Sequence, residues 1–220
     1  GNAAFKEYRF TIQVSPMDCT GCGNCADVCP AKTKALVMKP LESQMDEQAN
    51  FDYMHTNIGY KDTVAPKTAN LKNSQFAQPL FEFSGACAGC GETPYIKTIT
   101  QLFGDRMMIA NATGCSSIYS GSFPSSPYCT DKNGRGPAWD NSLFEDNAEF
   151  GLGMKVGTER VRETVAKLFR EGLECNCCTA EMKVQFEKWL ADRNNPATTR
   201  EVAETLVPMA EECGCDICKQ

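Results

Sequence analysis

The sequence has little histidine and no long apolar stretch. His55 is its only imidazole, and a single histidine in a polar segment is more often solvated or hydrogen-bonded than a metal ligand. No apolar run approaches the length of a transmembrane helix, so we expect no membrane partner. Lysine and arginine form no cluster and the net charge is −6, which argues against a nucleic-acid partner. The first residues also lack the basic and apolar regions of a signal peptide.

Cysteine, in contrast, is abundant. The 220 residues include 14 cysteines, in a chain that is otherwise 42% hydrophobic and 23% charged and therefore typical of a globular protein. Because the spacings are those of metal ligands and no secretion signal precedes them, a disulfide scaffold is not predicted. We expect a reducing cytoplasm, and an anaerobic one, since exposed iron–sulfur clusters are sensitive to oxygen.

The most specific pattern is a C-x2-C-x2-C-x3-C-P run, formed by Cys19, Cys22, Cys25, Cys29 and Pro30. This spacing is that of bacterial ferredoxins, which hold 4Fe-4S clusters. Gly21 and Gly23 let the backbone of the loop pass close to the inorganic sulfides. Structural zinc more often uses two C-x2-C pairs separated by a longer gap. The run, which we name the ferredoxin run, therefore predicts a 4Fe-4S cluster and a role in electron transfer.

The same run predicts a second cluster. In two-cluster ferredoxins the fourth cysteine of the run, here Cys29, ligates the other cluster. That cluster needs its own C-x2-C-x2-C, and no second copy occurs in the sequence. We therefore expect an upstream half-ferredoxin in another part of the parent polypeptide.

The chain is predicted to have three parts. Residues 1–41 are expected to be part of a two-cluster ferredoxin domain of the α+β class, with strands at 5–14 and 35–38. Residues 42–79 are polar and predict an irregular connector. Residues 80–220 predict the N-terminal part of an α/β domain.

The second domain begins with a predicted β-turn-α-β unit, which favours a parallel sheet. Its strands are predicted at 80–83 and 106–110, and its helix carries Ile96, Ile99 and Phe103 on one face. Apolar residues at helical spacing predict three further helices, around 161–169, 182–190 and 202–209.

Three more cysteines follow the two predicted strands. Cys87 and Cys90 form a C-x2-C on a glycine-containing turn after the first strand, and Cys115 follows the second. Loops after parallel strands project from the same edge of a sheet, so the three thiols can converge. Three converging thiols favour a metal site over chance.

The sequence around these cysteines strongly resembles pyruvate:ferredoxin oxidoreductase, a thiamine diphosphate-dependent family of anaerobes. The resemblance is carried by ACAGCGETPYIK at 86–97, NATGCSSIY at 111–119, NGRGPAW at 133–139 and NSLFEDNAE at 141–149. It implies oxidative decarboxylation of pyruvate with coenzyme A to acetyl-CoA and CO2. Electrons would pass from thiamine diphosphate through 4Fe-4S clusters to ferredoxin or flavodoxin. It also implies a homodimer of the full enzyme.

The resemblance assigns roles to individual residues. It implies that Cys87, Cys90 and Cys115 hold a proximal cluster whose fourth ligand lies outside this chain. It implies that Glu92 and Cys115 contact thiamine diphosphate, although Glu92 also suits the first turn of a helix as an acid facing the dipole. For the ferredoxin run it implies that one cluster is held by Cys19, Cys22 and Cys25, and that the other is closed by Cys29.

The chain departs from the family in one respect that limits its chemistry. The Gly-Asp-Gly and following Asn that bind Mg2+ and the diphosphate in the family are absent, and Gly104-Asp105-Arg106 lacks the second glycine. The Mg2+ ligands and the catalytic residues are therefore expected in the rest of the parent polypeptide. Two alternatives remain open: a sister enzyme for 2-oxoglutarate, an aromatic 2-oxoacid or 2-oxobutyrate, and a non-catalytic electron-transfer module, which bound thiamine would exclude.

Six further cysteines lie near the end of the chain: Cys175, Cys177, Cys178, Cys213, Cys215 and Cys218. Neither group of three matches an iron–sulfur or zinc spacing closely. We expect surface thiols that bind no stoichiometric metal, with an extra metal site as the alternative.

Overall fold

The computed structural model describes residues 5–61 and 63–219 and divides the chain into two compact units, residues 1–147 and 148–220. No helix within those described ranges is long and apolar enough to cross a membrane. In chain order the elements are α1 (Asn24–Asp27), α2 (Glu47–Asn57), α3 (Leu71–Ser74), α4 (Thr93–Phe103), β1 (Met108–Ala112), α5 (Cys115–Ser117), β2 (Ala138–Ser142), α6 (Asn147–Glu174), α7 (Ala180–Ala191) and α8 (Pro196–Glu212).

Two parallel strands form the sheet of the first unit. β1 pairs with β2 in a register that places Met108 opposite Ala138 and Ala112 opposite Ser142. The indole of Trp139 lies so close to Gly121 that a Cβ there would stand 2.7 Å from the ring. The helix–strand composition and the parallel pairing confirm the predicted α/β class.

The pairing partner of β1 differs from the prediction. The segment expected as its partner strand, 80–83, forms one isolated antiparallel bridge, between Phe81 and Tyr128. Leu80 and Phe81 are buried, so their apolar character reflects packing in the core. A short apolar run does not by itself distinguish a sheet strand from other buried backbone.

Helix α4 forms where it was predicted, but it buries a different face. Ile99 and Phe103 are 44% and 47% exposed in this chain, whereas Thr100 and Gln101 are buried. The Gln101 amide donates to the backbone carbonyl oxygens of Ser74 and Ala77, at 2.6 and 3.2 Å. These hydrogen bonds favour burial of the polar face, because they satisfy main-chain groups that would otherwise lack partners.

The first part of the chain contains no strand within its described residues. Neither 5–14 nor 35–38 pairs with another segment there, and Phe10 and Val37 are exposed. A strand needs a partner for its N–H and C=O groups, so the predicted ferredoxin-type strands do not form. The expectation of an irregular segment at 42–79 is also wrong in part, because α2 covers eleven of these residues.

The second unit is built from α6, α7 and α8, which confirms the three helices predicted from apolar spacing. Its core contains Phe186, which stacks on Phe169 at 4.7 Å between ring centroids. Gly172 is required for this packing, because a Cβ there would stand 2.6 Å from the Phe186 ring. The Thr179 hydroxyl accepts a hydrogen bond from the Met182 N–H and thereby caps α7.

Candidate iron–sulfur and cofactor site

The start of the ferredoxin run is fixed by helix α2. The Ser15 hydroxyl donates to the side-chain oxygen of Gln48 at 2.9 Å, and the Met17 N–H donates to the same oxygen. The Cys19 N–H in turn donates to the Ser15 carbonyl oxygen at 3.1 Å. The helix that the sequence did not predict therefore positions the first cysteine.

The loop itself has the backbone that closely spaced ligands require. Gly21 and Gly23 have φ values of +69° and +81°, a region that glycine enters without steric cost. The Lys34 ammonium donates to the Asp27 carbonyl oxygen at 2.6 Å and closes the far side of the loop. The thiols of the run are free, and those of Cys19, Cys22 and Cys25 are exposed.

Cys29 lies in a distinct environment. It is half-buried, and backbone N–H groups of Ala31, Leu36 and Ala35 lower the pKa of its thiol, with Lys34 adding a smaller effect. Such N–H groups stabilise a thiolate, which is the form that binds iron. In the described chain the run contains no three thiols within 4.8 Å of one another.

The second candidate site begins at a turn that we name the thiol turn, residues 87–90. The Cys90 N–H donates to the Cys87 carbonyl oxygen at 3.0 Å. The Cys90 sulfur accepts a hydrogen bond from the Glu92 N–H at 3.4 Å. Backbone N–H groups of Thr93 and Glu92 lower the pKa of the Cys90 thiol, despite the opposing Glu92 carboxylate. The turn therefore prepares a thiolate at the start of α4.

Cys115 lies directly beyond the carboxyl end of β1, as predicted. A compact turn holds it there: the Gly114 N–H donates to the Ser117 hydroxyl at 2.9 Å, and that hydroxyl donates to the Gly114 carbonyl oxygen. The thiol of Cys115 is free and exposed. The edge of the sheet thus presents this sulfur outward.

Tyr119 shows which of the predicted residues the structure brings together. Its ring is buried and packs edge-on against Phe81. Burial raises the pKa of the Tyr119 phenol, and further contributions come from Glu92, Tyr128, Cys90 and Cys115. Glu92, Cys90 and Cys115 are therefore close enough to act electrostatically on the same phenol, although Cys87, Cys90 and Cys115 do not lie within 4.8 Å of one another in the described chain.

The Tyr119 hydroxyl provides a test of whether a polar cofactor fits here. It is buried and has no hydrogen-bond partner among the described residues. A buried hydroxyl without a partner carries a free-energy cost that a polar ligand can offset. The free thiols of Cys90 and Cys115, the Glu92 carboxylate and this hydroxyl together fit a site that holds both a cluster and a polar cofactor.

The thiol turn and the ferredoxin run lie against each other. A Cβ placed on Gly89 would stand 3.4 Å from the side-chain nitrogen of Asn24. Gly89 lies between Cys87 and Cys90, and Asn24 lies between Cys22 and Cys25. The two groups of predicted iron ligands therefore occupy adjoining loops.

Comparison with known proteins supports this assignment. Residues 12–33 match the 4Fe-4S binding domain family, and this range contains all four cysteines of the ferredoxin run. The chain is 54% identical, over 199 residues and 90% of its length, to the pyruvate:ferredoxin oxidoreductase of Moorella thermoacetica. It is 54% and 53% identical, over 90% and 91% of its length, to the pyruvate-flavodoxin oxidoreductases of Enterobacter agglomerans and Klebsiella pneumoniae.

The chain thus resembles one segment of pyruvate:ferredoxin and pyruvate-flavodoxin oxidoreductases, with more than half of the aligned residues identical. It spans 17% of the length of each of these three relatives. The predicted resemblance and the 4Fe-4S assignment are thereby confirmed.

One cysteine of this oxidoreductase segment was not considered in the sequence analysis. The Cys129 thiol donates to the Pro79 carbonyl oxygen at 3.2 Å, and burial raises its pKa to about 11. A thiol in that state is a poor metal ligand, because the thiolate is disfavoured. Cys129 therefore acts as a structural residue of the core. In the sequence it forms no metal-ligand spacing with another cysteine.

The expectation of surface thiols near the end of the chain is wrong for Cys178. Cys178 is buried, and its sulfur lies within 4.8 Å of those of Cys215 and Cys218. Cys175 and Cys177 form a disulfide. The one sequence signal for this convergence was the C-x2-C spacing of Cys215 and Cys218, whose third partner lies across the fold.

Proposed function

We propose that this chain supplies the iron–sulfur ligands and one wall of the thiamine diphosphate site in a cytoplasmic enzyme. The enzyme oxidatively decarboxylates pyruvate with coenzyme A to acetyl-CoA and CO2. Its two electrons leave one at a time through 4Fe-4S clusters to ferredoxin or flavodoxin. The full enzyme is proposed to be a homodimer.

The contact between the two cysteine loops carries this proposal. Because Gly89 packs against Asn24, a cluster on the thiol turn would stand beside a cluster on the ferredoxin run. Adjacent clusters allow electrons to pass between them without leaving the protein. Electrons are proposed to enter at the cluster of the thiol turn, because Glu92, which is assigned to the thiamine diphosphate site, directly follows that turn at the start of α4. They are proposed to leave through the clusters of the ferredoxin run.

The ligands are assigned in two sets. Cys87, Cys90 and Cys115 hold the proximal cluster, together with a fourth ligand from elsewhere in the enzyme. The remaining set belongs to two ferredoxin clusters, one held by Cys19, Cys22 and Cys25 and the other closed by Cys29. Backbone N–H groups at Cys29 and Cys90 favour the thiolate state that both sets need.

Glu92 and Cys115 are proposed to line the thiamine diphosphate site. When bound, thiamine diphosphate supplies the electron sink that allows a 2-oxoacid to lose CO2. Glu92 directly precedes α4 and makes no side-chain hydrogen bond to the start of that helix. Its carboxylate can therefore accept a hydrogen bond from the cofactor, and the Tyr119 hydroxyl can offer one. The Mg2+ ligands are assigned to other parts of the enzyme, because this chain lacks a Gly-Asp-Gly sequence.

Anaerobic turnover by the intact enzyme tests the proposal. With pyruvate, coenzyme A and oxidised ferredoxin or flavodoxin, we expect acetyl-CoA, CO2 and two reduced one-electron acceptors per pyruvate, together with bound thiamine diphosphate. Turnover of 2-oxoglutarate, an aromatic 2-oxoacid or 2-oxobutyrate in preference to pyruvate would identify a sister enzyme instead. Absence of thiamine diphosphate and of turnover would identify an electron-transfer module and contradict the proposal.

A further inference from the structure

A group of free thiols closes one end of the helical unit. Cys178 lies in the loop before α7, whereas Cys215 and Cys218 lie in the segment after α8. The three sulfurs are all within 4.8 Å of one another, although 37 residues separate Cys178 from Cys215 in the sequence. Cys178 is buried and the other two are half-buried. Folding of the unit therefore assembles a three-thiol centre that the sequence spacing does not show.

Cys213 adds a fourth thiol to this centre. Cys213 lies two residues before Cys215 and packs, like Cys215 and Cys218, against the core cluster that contains Cys178. Its sulfur also approaches the Cys177 carbonyl oxygen at 3.9 Å, which places it over the loop that carries Cys178. Three sulfurs thus form the centre, and Cys213 lies beside it as a fourth free thiol.

The spacing of the sulfurs matches a single metal ion. Zinc–sulfur bonds are about 2.3 Å long, so a tetrahedral site places its sulfurs about 3.8 Å apart. The sulfurs within 4.8 Å need to contract by only about 1 Å to reach that geometry. A 4Fe-4S cube would need wider separations, because each of its thiolates binds a different iron.

The loop around Cys215 also offers the hydrogen bond that supports a thiolate ligand. The Cys218 N–H donates to the Cys215 sulfur at 3.4 Å. Backbone N–H groups directed at a coordinating sulfur orient it and stabilise its negative charge. The Cys215-Asp-Ile-Cys218 sequence is, moreover, the C-x2-C spacing common in structural zinc sites.

Two other sulfurs lie close to Cys178 but are not available as ligands. Cys175 and Cys177 lie within 4.8 Å of Cys178 as well, but they are joined in a disulfide. A disulfide has no thiolate to donate, and thiolates are the form of cysteine that binds metal. This leaves one complete set of four ligands.

We propose that the helical unit contains a structural Zn2+ site formed by the thiolates of Cys178, Cys213, Cys215 and Cys218. Four thiolates complete a tetrahedron, so the ion has no open position and plays a structural role. It ties the segment after α8 to the loop before α7. The site lies outside the iron–sulfur ligands assigned above and does not depend on the proposed enzymatic function.

Zinc content of the full chain, purified anaerobically with Zn2+ in the growth medium, tests the site. Cys215→Ser and Cys218→Ser are each expected to lose one equivalent of zinc per chain, measured by mass spectrometry of the metals, with iron content unchanged. The Cys175→Ser/Cys177→Ser double variant is the matched control and is expected to keep its zinc. Circular dichroism checks that each variant retains its helices.

Co2+ binding to the unsubstituted chain keeps the proposal testable if a variant misfolds. With Co2+ alone as the probe, we expect intense sulfur-to-cobalt charge-transfer bands and the visible bands of a tetrahedral tetrathiolate, displaced by one equivalent of Zn2+. Unchanged zinc in the Cys215 and Cys218 variants would overturn the site. Loss of zinc in the control would overturn the ligand set, and disulfides among the four thiols after anaerobic purification would overturn metal binding.

Discussion

Cys115→Ala in the intact enzyme is expected to lower the rate of ferredoxin reduction at least about 100-fold, which corresponds to a rise of about 2.7 kcal/mol in the activation barrier. Exchange of CO2 with pyruvate should fall much less. Cys115 lies at the carboxyl end of β1, and its sulfur shares the Tyr119 environment with Cys90. Loss of that sulfur removes a cluster ligand, whereas loss of CO2 depends on the chemistry that the cofactor supplies.

Cys129→Ala provides the matched control for this result. The Cys129 thiol lies in the same unit and is also free, but it hydrogen-bonds to the Pro79 carbonyl oxygen and has a raised pKa. We expect iron content and both activities to stay close to those of the unsubstituted enzyme. Equal losses of CO2 exchange and ferredoxin reduction in Cys115→Ala would show that Cys115 mainly shapes the cofactor pocket. Full ferredoxin reduction would show that it is not a ligand.

Cys22→Ala is expected to abolish one ferredoxin cluster and leave thiamine diphosphate bound. Cys22 belongs to an exposed loop that is held by the contacts of Ser15 and Gln48, whereas the proposed cofactor residues lie around Tyr119. Iron analysis should show a loss of about four irons per chain, as expected for one 4Fe-4S cube. The electron paramagnetic resonance (EPR) spectrum of the dithionite-reduced enzyme should lose one cluster signal.

The converse variant, Cys90→Ala, serves as the comparison. It should remove the proximal cluster signal and leave those of the ferredoxin run. Undiminished cluster signals in Cys22→Ala would refute its assignment as a ligand. Loss of thiamine diphosphate together with the cluster would show that the two sites are not independent.

The parts of this chain that the sequence predicted best were those whose functional residues lie close together in the sequence. The ferredoxin run specifies its own loop, because its cysteines and its two glycines with positive φ lie within a few residues. The helices at 147–174, 180–191 and 196–212 were also predictable. Each has enough turns for apolar residues to recur on one side.

The features that were not predictable depend on contacts between distant residues. The partner of β1 is Ala138–Ser142, a short segment with one large apolar residue, Trp139, and therefore no alternating pattern. Helix α4 buries Gln101 because the Gln101 amide donates hydrogen bonds to the carbonyl oxygens of Ser74 and Ala77. Periodicity in one segment carries no information about such partners.

The cysteines near the end of the chain illustrate the same limit most clearly. Cys215 and Cys218 show a C-x2-C spacing, but Cys178 joins them only after α7 and α8 pack together. Sequence spacing alone separates them into two unrelated groups. Their convergence depends on the tertiary fold, which is why the sequence predicted surface thiols in two separate groups.

The central claim is that electrons from a 2-oxoacid pass from the cluster at Cys87, Cys90 and Cys115 to the ferredoxin run. The most direct test is rapid-freeze EPR of the intact enzyme after mixing with pyruvate and coenzyme A in the absence of an external acceptor. We predict that signals of reduced 4Fe-4S clusters on the ferredoxin run appear in the unsubstituted enzyme and fail to appear in Cys90→Ala, although dithionite still produces them in that variant. Pyruvate-dependent reduction of the ferredoxin run at an unchanged rate in Cys90→Ala would contradict the account.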